Sequence, residues 1–432
     1  MRNSPDPAVI AEAALARLPM ADALFEQIRA ATADTAGVTR PAWSPQDRMA
    51  ADMATAVARD LGLEVRADAA GNLFYTLPGR DRSAPAIMTG SHFDSVPKGG
   101  NYDGLAGVVA GLVGLAALKD TGFEPACDVT VIGMTGEESV WYGIAYVGSR
   151  LATGALPPDQ LDTLMRDDSG ESLAAHMADV GIDVAALRDA GPSVTPANTR
   201  AFLELHIEQG PVLIGEDVAV AIPTTIRGNV RFPYARCFGS YDHSGATPRA
   251  YRSDAALAVV ELLARLEAWW VEQEAACVPD TVFTVGKLFT DRAEHTMTKV
   301  PGRVDFTLNI GGTTQPFLDQ GRDLTYALAK EIAAERRVSF ELGECVGSSP
   351  TPLDPELRRL LAETAGSLNL PVREFATVGH DASIFARAGI PSAMLLVRNA
   401  NGSHNPHEAM DVDDFLDAAC VLAHWLVQRT AP

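Results

Sequence analysis

Cysteine is scarce and scattered: Cys127, Cys237, Cys277, Cys345 and Cys420 are the only five, and none is spaced as CxxC. An odd, unpaired set argues against a disulfide framework and against a cysteine-built zinc site. Small core residues in a reducing compartment are the simpler reading. Long apolar runs are missing too. The longest, Leu105 to Leu118, falls short of the ~20 residues a spanning helix needs. The amino terminus (MRNSPDPAVIAEAALARLPMADALFEQ) has no basic stretch, apolar core and small-residue cleavage site. These shortages predict a soluble cytoplasmic protein that does not engage a membrane. Positive charge is the third: 35 Lys and Arg stand against 56 Asp and Glu, a formal charge of −21. Nucleic acid needs a basic face, so such a partner is not expected. An anionic substrate would need a local cluster of donors. The Gly-rich loop Gly99 to Gly107 has neither GxGxxG nor a Walker lysine, and Asp103 sits where phosphate charge would lie. A nucleotide site is therefore set aside.

What is present fits an α/β enzyme. A chain of 432 residues predicts two domains, and 47% apolar residues can fill large cores. Residues 8 to 62 read as two helices, separated by the turn Thr39-Arg40-Pro41 and the loop to Pro45. Short apolar runs then alternate with longer helical stretches, the pattern of parallel βαβ units. Ala86 to Thr89, Val129 to Met134 and Ser392 to Val397 read as buried strands, and Leu105 to Leu118 as a buried helix. Ala201 to Glu208 alternates, with Phe202, Glu204, His206 and Glu208 on one side. From about residue 216 the order becomes strand (230–238), helix (253–274), two strands (281–289, 303–310), helix (315–336) and strand (338–342), a ferredoxin-like unit. The expected architecture is a catalytic domain, 1–215 and 347–432, with a mostly parallel sheet and helices on both faces. An α+β lid, 216–346, is inserted in it and offers edges or helices as a dimer surface.

In such a sheet, ligands bind outside the carboxyl ends of the strands. The candidate ligands fall at those ends. His92 follows the first strand and Asp103 lies in the next loop. The pair Glu137-Glu138 follows the second strand, His206 ends the alternating strand, and His404 follows the last. A single histidine is usually a surface or satisfied residue, and an acidic pair is usually a solvated turn. Three of only nine histidines in this placement shift the balance. Two adjacent acids at a central strand's end repel unless a cation is bound. This donor set suits a pair of Zn, Mn, Co or Ni ions. Two ions need a bridging ligand, which Asp103 on a Gly-rich loop can supply. One glutamate would ligate while the other takes the proton of the activated water. Asp94 would accept the His92 imidazole N–H and fix its tautomer.

The segments GSHFDSVPKGGNYDGLAGV, GEES, ELHIEQGPVL, HSGATPRAYRSDA, VPGRVDFTLNI, GHDA and GSHNPHEAM resemble the M20 metallopeptidase clan. They look most like its amidase/hydantoinase/carbamoylase branch: N-carbamoyl-L-amino-acid hydrolases, ureidopropionases and allantoate amidohydrolases. The likeness runs from about Gly37 to Met410. It implies His92, Asp103, Glu138, His206 and His404 as ligands, Asp103 bridging, and Glu137 as general base. It also implies a homodimer in which His243 of the lid stabilises the oxyanion in the partner's site. Gln209 resembles a substrate-contacting position, and His380 and Asp381 look like site-lining residues. Three departures stand out. Thr298 replaces the usual Asn before the VPG turn, and Ser139-Val140-Trp141 replaces the common Gly-x-Arg. Asn309-Ile310-Gly311 replaces Asp-Ile-Arg, so the Arg expected to clamp a substrate carboxylate is missing. Arg227, Arg231 and Arg398 are candidate substitutes, or the substrate lacks a carboxylate there. The expected reaction is hydrolysis of a ureido or N-carbamoyl small molecule. An aminoacylase or dipeptidase, or an inactive metal-binding relative, are the rival readings.

Overall fold

The computed structural model of the chain describes residues 6–431. It divides into two compact units. The first takes the described chain up to Thr224, Leu353–Phe375 and the described chain from His380 onward; the second takes Thr225–Pro352 and Ala376–Gly379. Breaks at 215/216 and 346/347 were expected, and strand pairing explains the shift. Val220–Ala221 pairs with Ser392–Val397 and Val372–Arg373 in the first unit's sheet. Val346–Ser348 pairs with Gly228–Phe238 in the second unit.

The sheet of the first unit has eight strands, ordered Glu64–Ala67, Leu73–Leu77, Val129–Met134, Ala86–His92, Thr199–Ile207, Ser392–Val397, Val220–Ala221 and Val372–Arg373. The third to sixth of these run parallel. Leu73–Leu77 and Val220–Ala221 flank them antiparallel. Every residue of Val129–Met134 and Ser392–Val397 is buried, as strands covered on both faces must be. One cover is the helix Leu105–Asp120, buried from Leu105 to Leu118 and packed against Val412–Thr430 and Pro7–Leu15. On the other face lies the short helix Ala382–Arg387, whose Phe385 ring meets Phe202 at 4.2 Å between centroids. The amino-terminal region holds three helices rather than two: Pro7–Leu15, Leu18–Ala31 and Pro45–Asp60. Pro19 explains the extra break. It has no N–H for a carbonyl of the preceding turn, so one helix stops and another starts with proline in its first turn.

The second unit is an antiparallel sheet, Val282–Thr284, Arg303–Gly312, Gly228–Phe238 and Ser339–Glu341 in order, with two helices. Its strands and helices follow the expected β-α-β-β-α-β sequence. The stretch read as one strand, 281–289, is instead two short strands, Val282–Thr284 and Leu288–Thr290, both pairing with Arg303–Gly312. Helix Ala255–Ala275 buries Ala255, Ala258, Val259, Leu262, Leu266 and Trp269, a helical stripe facing the core. Among the described residues no helix is long and apolar enough to cross a membrane.

Candidate metal centre

Four parallel strands ending together make a rim. His92 stands level with Met134, and His206 with Leu396. The first strand runs to His92 rather than stopping at Thr89, so this imidazole sits on the sheet itself and not in a loop. Asp103 precedes Gly104, which adopts a φ of +67° to open the buried helix. A Cβ at Gly104 would lie 2.4 Å from the His92 ring, so only glycine lets the loop come this close. His404 and Gln209 also hold left-handed backbone, with φ of 58° and 65°. For residues with side chains such conformations cost energy, and they cluster at functional sites.

The expected ligands converge. His92, Asp103 and His206 form one group, and Asp103, Glu138 and His404 another; in each, one ligand atom per residue lies within 4.8 Å of the others. Asp103 Oδ1 lies 3.2 Å from His206 Nε2 and 3.5 Å from His92 Nε2. Its Oδ2 lies 3.5 Å from His404 Nε2, which is 3.5 Å from Glu138 Oε1. The carboxylate therefore faces one group with each oxygen. Gln209 Nε2 donates to Oδ2 at 2.7 Å, and Ser403 Oγ lies 2.6 Å from it. Glu408 accepts the Tyr102 and Asp103 amides and steadies the loop beneath. Ser403 and Glu408 were not singled out from the sequence, although both lie in GSHNPHEAM.

Hydrogen bonds set the tautomers. His92 Nδ1 is 2.9 Å from the Asp94 carbonyl, and His206 Nδ1 is 2.9 Å from the Ile207 carbonyl. A carbonyl only accepts, so each Nδ1 donates its hydrogen there, which leaves Nε2 as the atom each ring turns to the centre. Asp94 meets His92 chiefly through its backbone oxygen, with its carboxylate Oδ1 farther from Nδ1 at 3.5 Å. The carboxylate instead accepts the amides of Gly136, Glu137 and Glu138, at 2.8, 3.2 and 3.1 Å. It anchors the loop that displays the two glutamates.

The electrostatics ask for added positive charge. Asp47, Asp94, Asp103, Glu138, Glu204, Asp381 and Glu408 are all buried, whereas Arg40 is the sole buried Arg or Lys among the described residues. Burial, then the charge of Asp103, pushes Glu138 up to about 8. Burial likewise raises Glu137 well above the usual carboxylate range. Asp103 goes the other way: burial opposes it, but hydrogen bonds from His206, His404 and His92 pull it well below its ordinary value. Its hydrogen bond to Asp103 lifts His404 to about 9. Glu138 Oε1 is buried with no hydrogen-bond partner, a costly state for an acceptor unless a cation fills the gap. The donor set and this orphaned oxygen fit a divalent metal.

Other expected site residues divide. His380 is buried with its ring 4.4 Å from that of His206. Asp381 is buried beside Ser149 and its Oδ2 lacks a partner. Arg398 is not a free clamp, which corrects that expectation. It makes a two-pronged pair with Asp414 at 2.7 and 2.8 Å and reaches Asp217 at 2.6 Å. In the second unit, Arg227 donates to the Ala376 carbonyl and Arg231 to Asn309 Oδ1. The pairings Arg231–Asn309 and Asn229–Gly311 put Arg231 on the same sheet face as Gly311. His243 is exposed and pairs with Lys299, next to Thr298. Its Nδ1 accepts the Gly245 and Ala246 amides at 3.1 and 3.2 Å, so its hydrogen sits on Nε2 as an outward donor.

Comparison with known proteins extends this geometry. Residues 88–428 match Peptidase family M20/M25/M40. The chain is 33% identical over 384 residues to the N-carbamoyl-L-amino-acid amidohydrolase of Paenarthrobacter aurescens, covering 89% of this chain and 91% of that protein. It is 31% identical over 406 residues to the allantoate amidohydrolase of Escherichia coli strain K12, covering 91% and 93%. Among solved structures it resembles an amidase of the hydantoinase/carbamoylase family from Burkholderia multivorans. That match has a TM-score of 0.88 and 26% identity, and covers 96% of this chain and 98% of the other.

Proposed function

This chain belongs to Peptidase family M20/M25/M40, and from that premise we propose that it hydrolyses a carbon–nitrogen bond in a ureido or N-carbamoyl small molecule, using two divalent cations per subunit. The observation that carries the reading is Asp103, whose two oxygens face two separate ligand groups. His92, Asp103 and His206 would hold one ion, and Asp103, Glu138 and His404 the other. When bound, such ions supply Lewis acidity, which makes water more acidic and polarises a carbonyl.

The remaining work falls to the chain's own side chains. Glu137, half-buried and raised in basicity, takes the proton of the attacking water on its carboxylate. It then returns that proton to the leaving nitrogen. Charge that builds on the carbonyl oxygen meets the Nε2–H of His243, contributed by a second copy of the chain in a homodimer. Gln209, 2.7 Å from Asp103, orients the substrate at the rim. With an N-carbamoyl amino acid the products are the amino acid, ammonia and carbon dioxide.

The similar proteins named for N-carbamoyl amino acids and for allantoate share a ureido group and a carboxylate in their substrates. Arg398 is committed elsewhere, so Arg231 and Arg227 are the cations available for that carboxylate. A cytoplasmic location belongs to the same reading and suits five free cysteines. The test is a hydrolysis screen of metal-loaded protein on N-carbamoyl-L-amino acids, ureidopropionate, allantoate, ureido compounds without a carboxylate, and a dipeptide. Turnover of a ureido compound supports the reading; turnover of the dipeptide alone refutes it.

A further inference from the structure

The loop bearing Glu137 and Glu138 leans on two buried carboxylates. Asp94 takes its amides. The second, Asp47, has no part in the steps above. It lies in the first turn of the helix Pro45–Asp60 and is 3% exposed. Its Oδ2 accepts the Thr135 hydroxyl at 2.5 Å and the Trp43 amide at 3.2 Å. Both donors bear on the loop. Thr135 stands two residues before Glu137. Trp43, held at a φ of 51° with its indole N–H on the Ala70 carbonyl, lays its ring against Gly136. A Cβ at Gly136, where φ is +78°, would lie 2.4 Å from that ring.

Helix capping accounts for part of the carboxylate, since Ser44 Oγ accepts the Asp47 amide at 3.3 Å and Asp47 reaches back to the Trp43 amide, but not for its bond to Thr135, which lies outside the helix. A neutral residue would be cheaper to bury. Asp47 Oδ1 has no hydrogen-bond partner, and burial followed by the charge of Asp94 pushes the group up to about 7. A cavity of about 10 Å³ beside it, lined by Phe93, Met134 and Thr135 among others, is close to the space one water needs.

We propose that Asp47 is a positioning residue for the reaction: through Thr135 and Trp43 it fixes the loop 135–138, and with it the aim of the Glu137 carboxylate. The inference rests on the reading of Glu137 as the base. The test compares metal-loaded Thr135→Val, Thr135→Ser, Asp47→Asn and Glu137→Gln with the unmodified protein. Assays use N-carbamoyl-L-alanine or allantoate, whichever turns over faster, and hydrogen–deuterium exchange of the segment 135–138 is followed alongside. Thr135→Val leaves the helix cap intact, so it remains informative if Asp47→Asn fails to fold. It is expected to lower kcat by about 10-fold or more with KM nearly unchanged, since small misplacements of a reacting group are costly. Metal content stays constant, exchange at 135–138 accelerates, and Thr135→Ser restores both rate and exchange. If Thr135→Val keeps its kcat and its exchange, the proposal is overturned whatever happens to Tm. If Glu137→Gln keeps turnover, the base assignment fails instead, a separate result.

Discussion

Replacing Asp94 with Asn distinguishes two ways in which this residue could serve the site. Its Oδ1 accepts two amides and its Oδ2 accepts a third, all from the loop 136–138. Asparagine keeps one oxygen. Placed at Oδ1 it retains two bonds, now without charge, and its amide nitrogen then meets the Glu138 N–H donor to donor. The lost charge-assisted bond is worth ~1.5–3 kcal/mol, and an unsatisfied buried amide costs ~1–3 kcal/mol. Relief of repulsion within the acidic cluster offsets part of this, leaving a loss of about 3 kcal/mol. For a unit of this size that corresponds to a fall in Tm of roughly 5 °C. The His92 tautomer depends on the Asp94 carbonyl, which the substitution spares. Elemental analysis should therefore find the ion of the His92 group retained while Tm and kcat fall, any loss being confined to the group that contains Glu138. Had the carboxylate been what fixes the imidazole, metal affinity would drop ~10–100-fold. An unchanged Tm together with lost metal would refute the structural assignment.

Glu137→Gln should reduce kcat severely and keep both metal equivalents, whereas Glu138→Gln should lose metal; the reverse pattern, seen by elemental analysis and rate assays, would exchange their roles. His243→Ala should lower kcat by ~10²–10³ without loss of metal, as removal of an oxyanion donor does. Mixing it with Glu137→Gln should restore roughly a quarter of normal activity if a symmetric dimer shares its sites, because one site of each hybrid is then complete; no recovery would place His243 in its own subunit's site. Asp47 gives a pH dependence. Its ordinary value of 3.8 rises to about 7 in the folded protein, amid Asp94, Arg48, Arg40 and Tyr142. The native state keeps a proton that the unfolded chain has lost, so this group's contribution to stability falls as pH climbs from about 4 to about 7. The Tm of Asp47→Asn relative to the unmodified protein should rise across that window, and parallel Tm curves would contradict this.

Most of the candidate cluster was legible because its chemistry shows in one dimension. Histidines and acids just past buried apolar strands point to a rim, and the strands themselves announce their burial by composition. Ser392 to Val397 and Val129 to Met134 were read with their observed limits. What stayed hidden depends on contacts far apart in the chain. Nothing near Arg398 in sequence says that Asp217 and Asp414 will claim its guanidinium. Likewise, nothing local sends the Asp94 carboxylate to residues 136–138 while its carbonyl serves His92. The burial of Arg40 beneath the loop, donating to the Phe93 carbonyl and Asn101, carried no pattern either. Short helices such as Ser139–Tyr142 and Val147–Thr153 span too few turns for a periodic signal.

The most direct test counts ions. Protein stripped and reloaded with manganese or zinc should bind two equivalents per chain, with Glu138→Gln reduced toward one and Asp103→Ala below that. A single equivalent in the unmodified protein, undiminished when Asp103 is removed, would contradict the shared carboxylate on which the proposed chemistry stands.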